Sequence, residues 1–539
     1  TVNNLQASTG DTSPSENFTV GNFTRNGGTQ QIGGPVYSNS ITGSFNSGAS
    51  QGADKAFNGT TSGTNYAAAS SGSTAVFTNM GITGITKIRL SLAKNNTGDN
   101  WGNLILNDGA TSTNLQSWLQ SNYSGRGNSA SFIDVTSQFS ASTLESISID
   151  ASGSVDVRIA GVEINDVVLL DGDGSTISFS PDFVWIKSRS SGTEGHYLAN
   201  TVNGLTKNVR SNSADAEQTN TNGVTAANAN GFTLGDSGRV NGSSQTYVAW
   251  AWNAGANSNK TYTVKVVSDS GNKYRFDDFG TSAVTLELAE GSTYVFDQSD
   301  SSNSGHPLRF STTSNGTHGG GSEYTTGVTT TGTPGSAGAK TTIAVAAGAP
   351  TLYYYCTQHS GMGGQANTNS TAGASNFDGG IQSAVKANQA KGIAVGKFTG
   401  TGSINTVGTG LSNTQMVILK NTDSHTDWVV YHTIVDGSYD YMYLNLQNGN
   451  ASSGLAPHSM SNTFKVGSNA DTNASGDDYV FHAFSSSAGF SKFGTYTGNG
   501  STTGPVITNL GFKPKFLMIK AASISGEDWV LMDTVRDTG

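Results

Sequence analysis

Three short segments constrain this chain more than any other feature, because they repeat. PDFVWIKSR (181–189), TQMVILKNT (414–422) and PKFLMIKAA (514–522) align with a lysine at the seventh place: Lys187, Lys420 and Lys520. Each carries the apolar run of a buried strand. The first two copies also share an ending. GFTLGDSGRVNGSSQTYVAWAW (231–252) and TFKVGSNADTNASGDDYVFHAF (463–484) align Phe232 with Phe464, Gly235 with Gly467, Asn241 with Asn473 and Tyr247 with Tyr479. Lead segments recur as FTGTGS (398–403) and YTGNGS (496–501). A chain with such self-similarity is an array of modules, not one large core. Lys187 and Lys420 stand more than twice as far apart as Lys420 and Lys520, so a separate domain is expected between the first two copies.

That interval holds the only cysteine. YYYCTQHSGMGG (353–364) sets Cys356, His359 and Met362 at the spacing Cys-x-x-His-x-x-Met, and His306 stands well upstream in GHPLRFS (305–311). A thiolate, two imidazoles and a thioether are the ligand set of a blue-copper centre, with His and Cys in a trigonal plane and Met weakly on the axis. Three ligands on one loop can close on an ion while the fourth, from a distant strand, pins the loop to a sandwich. GSTYVFDQSD (291–300) and TTIAVAAGAPTLYYYC (341–356) read as strands leading into the two ligand positions. Roughly residues 258–366 resemble a cupredoxin, and the short loop is most similar to that of the amicyanins. The resemblance implies copper as the cofactor, held by His306, Cys356, His359 and Met362; a sandwich that uses these residues only as a structural staple is the alternative. His318, in the glycine-rich THGGG (317–321), reads as a bystander.

Composition narrows the class further. Of 539 residues, 70 are Gly and only 12% are charged, which marks an all-β, loop-rich extracellular or virion-surface protein. A net charge of −10 without a basic cluster removes the footprint that nucleic acid requires. No apolar run approaches the ~18 residues of a spanning helix, so no membrane insertion is expected. A single cysteine forms no internal disulfide. The chain opens at Thr1 without an initiator Met, and the third repeat stops at DTVRDTG (533–539) before any counterpart of the closing strands. Both observations predict an internal piece of a longer polypeptide.

The predicted fold is therefore all-β, built of tandem β-sandwich modules. Residues 1–35 are expected as a connector or the end of a preceding domain, 36–172 as a jelly-roll or discoidin-like sandwich, and 173–255 as the first repeat module. The cupredoxin-like domain follows at 256–366, then a connecting hairpin at 367–392, a second module at 393–491 and an incomplete third at 492–539. In the first sandwich KIRLSLAK (87–94), SISID (146–150) and SVDVRIAGVEI (154–164) alternate apolar and polar residues. GADKAFNGTTSGTNY (52–66) resembles the early strand and loop of discoidin-like carbohydrate-binding sandwiches, so this domain is a glycan binder or a bare spacer. Trp101, in the polar NNTGDNWGN (95–103), is the candidate ligand-binding surface residue, whereas Trp185, Trp250 and Trp252 lie in strand patterns and are expected in the core.

Two apparent motifs, one for metal and one for catalysis, dissolve on inspection. DGDGSTISFSPD (171–182) has the acidic positions of a calcium loop, but Thr176 stands where glycine is needed and Asp182 where a bidentate Glu is needed, so it reads as a hinge. Gly235-Asp236-Ser237-Gly238 matches the surroundings of a serine-protease nucleophile, yet the aligned copy reads Gly467-Ser468-Asn469-Ala470, a variable turn. No pair of carboxylates is set apart by its surroundings, and no enzymatic activity is expected.

The repeats, through PDFVWIKSR, SRSSGTEGHYLANT (188–201), SQTYVAWAW (244–252), NFDGGIQSAVKAN (376–388) and FSKFGTYTGNGSTTGP (490–505), resemble modules of tail-fibre and other virion-surface proteins of marine bacteriophages. In that family a cupredoxin-like segment often lies between such modules. The resemblance implies a structural fibre or adhesin on the virion surface, homo-oligomeric with a trimer favoured. Its partners would be other virion proteins and a host cell-surface glycan or protein. A copper electron-transfer protein and a self-assembling extracellular filament are the competing classes.

Overall fold

The structure, a computed structural model, describes residues 18–24, 30–34, 36–47, 50–95, 100–151, 155–171, 177, 179–256, 259–368, 373–455 and 458–536. They are nearly all strand and loop, with two α-helices, Gln116–Tyr123 and Gly238–Asn241. The all-β class and the tandem-sandwich character are as the alternating patterns predict. Two compact units are present: Thr1–Val20, Pro181–Asn220 and Val248–Gly539 form one, and Gly21–Ser180 with Thr221–Tyr247 form the other.

The unit containing Gly21–Ser180 holds the first sandwich. One sheet runs Ser112–Asn114, Leu104–Asn107, Ser146–Asp150, Thr74–Phe77 and Ile41–Gly43; another runs Ser131–Asp134, Ile88–Ala93, Arg158–Ile164 and Val167–Val168. Phe57, Phe77, Leu90, Leu92, Leu106 and Ile147 fill the core with their alternate inward faces.

Trp101 belongs to that core, which corrects its expected place on the surface: its side chain is 0% exposed. The polar loop ends one residue too early. Asn100–Trp101 forms a short strand parallel to Val155–Asp156. The helix Gln116–Tyr123 covers the tryptophan: Gln120 Oε1 accepts its backbone N–H at 2.9 Å, Gln116 Nε2 donates to its carbonyl at 2.9 Å, and its indole Nε1 donates to Tyr123 O at 3.0 Å. Burying an indole with its N–H satisfied outweighs what a polar neighbourhood suggests.

The repeats have a common order of lead, closing, lysine and return strands. The first copy is a sheet of Phe18–Thr24, Thr246–Trp252, Phe183–Ser188 and Tyr197–Asn200. The second copy has Ile393–Thr399, Asp478–Phe484, Met416–Asn421 and Val429–His432 in the same order within an eight-stranded sheet. Residues 18–24, within the stretch 1–35 expected as a connector or the end of a preceding domain, are therefore a lead strand; FTVGNFT answers IAVGKFT of residues 393–399. Its edge supplies hydrogen-bond partners to a closing strand more than two hundred residues away in sequence, a distance at which local pattern is silent. The expected hairpin before the second copy forms as Ser383–Asn388 against Ile393–Thr399. Most of the acidic stretch 172–178 lies outside the described residues. Asp182, at its end, is buried and takes Lys386 Nζ at 2.7 Å and Ala254 N–H at 2.8 Å, so it anchors backbone.

The repeated residues are structural fastenings. Lys187 Nζ donates to Glu194 O at 2.6 Å, Lys420 Nζ to Thr426 O at 3.0 Å, and Lys520 Nζ to Glu527 O. Each lysine thus ties the loop between its own strand and the return strand. Tyr479 Oη donates to Ala470 O at 2.8 Å and accepts Ala474 N–H at 2.7 Å; Tyr247 Oη does the same with Gly238 O at 2.7 Å and Gly242 N–H at 2.8 Å. Trp185, Trp250, Val395, Ile418, Val430, Phe516 and Trp529 from all three copies meet in one apolar cluster.

Between the first two copies stands the second sandwich. Its larger sheet runs Asn272–Phe276, Lys260–Ser268, Thr293–Asp297, Lys340–Ala344 and Val328–Thr331, and its smaller one Leu286–Glu287, Gly364–Asn367, Leu352–Cys356 and Leu308–Ser311. Tyr262, Phe276, Phe296, Phe310, Leu352 and Tyr354 form the core.

Candidate metal centre

Strand register explains how residues distant in sequence converge. Leu308–Ser311 pairs antiparallel with Leu352–Cys356, with Leu308 opposite Cys356. His306 lies two residues before the first strand and Cys356 ends the second, so both arrive at one end of the small sheet. The loop after Cys356 turns back at once: Gly364–Asn367 pairs with Leu352–Tyr354. That hairpin carries His359 over the same end.

The three ligand atoms lie within 4.8 Å of one another. Cys356 Sγ is 3.9 Å from His306 Nδ1 and 3.7 Å from His359 Nδ1, and the two imidazole centroids are 4.5 Å apart. Such separations are long for hydrogen bonds that hold a fold together. They suit a shared ion. With metal–nitrogen and metal–sulfur bonds of about 2.0 and 2.3 Å, a trigonal plane separates N from S by about 3.7 Å and a tetrahedron by about 3.5 Å. Cys356 is buried, His306 half-buried and His359 exposed, so the cluster opens to solvent on the histidine side. Met362 is 1% exposed and packs in the sandwich core.

Residues that sequence reasoning passed over hold this loop in place. Asn315 donates from Nδ2 to Ser360 Oγ at 2.8 Å and accepts Gly361 N–H on Oδ1 at 2.7 Å, clamping the turn that follows His359. Its own φ of 61° is left-handed, which asparagine tolerates better than most residues. Tyr274 Oη and Gln298 Nε2 both donate to His306 O, at 2.9 and 2.8 Å. Tyr274 N–H donates to Met362 O at 3.0 Å, so one residue braces the backbone at both His306 and Met362. Gly363 cannot carry a side chain, because a Cβ there would stand 1.7 Å from Tyr354 O. The sequence signal for these supports was weak: an Asn and a Gly in loops already rich in both.

His318 Nε2 lies 3.0 Å from Cys356 O, which engages that ring nitrogen with backbone. Burial, and then the charge of His359, hold the His306 pKa below its usual value, which favours the neutral, ligating imidazole. Burial, with Cys356 second, pushes the Tyr274 phenol far up, so it remains a donor.

No curated protein and no solved structure matches this chain. The stretch 286–365, which contains His306, Cys356, His359 and Met362, interrupts a family match. That match is to a domain of unknown function (DUF7483), at residues 165–285 and 366–539, more than half of the sequence, and the chain belongs to that family.

Proposed function

We propose that this chain is a non-catalytic, modular surface protein whose inserted sandwich binds one copper ion through His306, Cys356 and His359, with Met362 as a weak axial ligand. The observation that carries the reading is the pair of sulfur–nitrogen separations, 3.7 and 3.9 Å, between a buried cysteine and two imidazole Nδ1 atoms. Soft sulfur beside imidazole selects copper over the hard cations, which prefer oxygen. Copper bound there would supply a one-electron couple, and the protein's part is to present a thiolate and two neutral imidazoles. The cupredoxin resemblance adds support.

The repeats supply scaffold. Their recurrent polar residues, Lys420, Asn473 and Tyr479, spend their hydrogen bonds inside the fold, and the likeness to phage virion-surface modules favours an oligomeric fibre or adhesin that meets a host surface. Copper titration of the full chain should produce an intense thiolate-to-copper charge-transfer band and a raised Tm for the sandwich, and Cys356→Ser should lose both. Tighter binding of zinc than of copper, with no visible band, would overturn the copper assignment.

A further inference from the structure

The glycine-rich segment that carries His318 is fastened at more points than its composition suggests. Gly316–Gly319 is a short 3-10 helix entered through Asn315. Gly316 N–H donates to Thr313 O at 2.9 Å and Gly321 N–H to Gly316 O at 3.0 Å, while Ser311 Oγ at the base of the segment donates to Ser322 O at 2.7 Å. The segment packs on Tyr355, since a Cβ on Gly316 would stand 2.5 Å from that ring. Tyr354 and Cys356 lie in the sandwich core, so Tyr355 between them alternates to the opposite face, yet it is buried. The segment is its cover.

From that base it reaches the ligand loop twice. Asn315 Nδ2 donates to Ser360 Oγ at 2.8 Å and its Oδ1 accepts Gly361 N–H at 2.7 Å, one and two residues past His359. His318 Nε2 stands 3.0 Å from Cys356 O, and a carbonyl can only accept, so that nitrogen carries the proton. The loop is also tied by Thr357 N–H to Pro307 O at 3.2 Å, by Tyr274 N–H to Met362 O at 3.0 Å, and by Lys273 Nζ at Gly361 O. His359 itself contributes only the approach to Cys356 Sγ, so its place beside the thiol rests on what holds its neighbours. A metal meeting an unfastened loop would have to order it on binding, and each residue fixed at that moment lowers affinity roughly tenfold.

We infer that Asn315 and His318 are positioning residues for the metal, which hold Cys356 and His359 at ligand spacing before any ion arrives and thereby raise the affinity of the chain for copper. The inference rests on the copper reading of this site and adds what sets its strength. Neither residue touches a ligand atom; Asn315 acts through Ser360 and the Gly361 backbone, and His318 through the carbonyl of Cys356.

Asn315→Gly is the direct test, because glycine keeps the left-handed backbone and removes only the side chain. In the full chain without metal, amide exchange across 357–361 should quicken while that of 352–356 holds, and the Tm of the sandwich should move by no more than about two degrees. Copper affinity, read by competition with a chelator, should fall roughly tenfold, the scale of ordering one residue. Adding copper should slow exchange across 357–361 far more in the variant than in the wild type, whose loop is already set. Asn315→Asp tolerates the same backbone and can accept from both Gly361 N–H and the Ser360 hydroxyl, so it should restore the affinity. His318→Ala removes one contact instead of two and should weaken copper by a smaller factor. Equal copper affinity in the wild type and Asn315→Gly, or loop exchange in the metal-free wild type as fast as in the variant, would overturn the inference and leave the copper reading standing. A wild type without a thiolate-to-copper band would remove both.

Discussion

The second repeat copy and the sandwich that precedes it both gather polar side chains at the end of a β-sheet, and they treat them in opposite ways. In the repeat, Asn473 is 0% exposed and every arm is taken: Nδ2 donates to Ser403 O at 2.6 Å and Gly467 O at 3.0 Å, and Oδ1 accepts Thr401 N–H at 2.7 Å. In the sandwich, Cys356 and the two histidines face one another at distances that complete no strong bond. A polar cluster whose partners come from its own backbone is a fastening. One whose atoms converge without satisfying each other is what the proposed copper site would require, since a thiolate and imidazoles are ligands that copper favours.

The largest expected effect breaks the fastening. Asn473→Ala strands the Thr401 N–H and two carbonyls in a buried place and should cost the second copy about 3 kcal/mol. Amide exchange resolved by segment should show the loss across 393–484 and none across 259–368. A loss below about 1 kcal/mol would mean that solvent or relaxation replaces these bonds and that the contrast is overstated.

How legible these two regions were differs for a physical reason. The approach of Cys356 and His359 could be read directly, because they are close in sequence and a strand-to-hairpin turn brings them together by local geometry. His306 was legible by residue type and by its strand. The repeat lysines aligned plainly, yet their role was hidden, since a carbonyl acceptor leaves no mark in a side-chain sequence. The lead strand Phe18–Thr24 was missed because a whole sandwich separates it from its partner. Trp101 was misplaced because a neighbouring helix, not its own loop, decides its burial.

Acid should separate the two regions next. His482 is 1% exposed, and burial pushes its pKa down to about 3. The unfolded chain binds this proton near pH 6.5 and the folded chain does not. The stabilising contribution is therefore full above pH 6.5 and is lost as the pH falls towards 3. Between pH 6 and pH 5 the second copy should lose about 1 kcal/mol through this group alone. Urea melts of the wild type and of His482→Gln at both pH values measure it as the difference between their slopes, since other groups titrate in both. Equal slopes would show that His482 is reached by water.

The smallest expected effect is the sharpest test of the sandwich. His359 is exposed, and the only side-chain hydrogen-bond contact in which it takes part among the described residues is the 3.7 Å approach to Cys356 Sγ. Asn315 clamps the loop through Ser360 and Gly361, not through the imidazole. Without metal, His359→Ala should therefore move stability by no more than about 0.5 kcal/mol, as for an ordinary surface substitution. If copper is held as proposed, the same change would remove one of the residues that hold it, so the rise in Tm on adding metal should largely disappear. A fastening would behave the other way round, destabilised without metal and indifferent to copper. Melting curves of the two proteins, each with and without copper, decide between them.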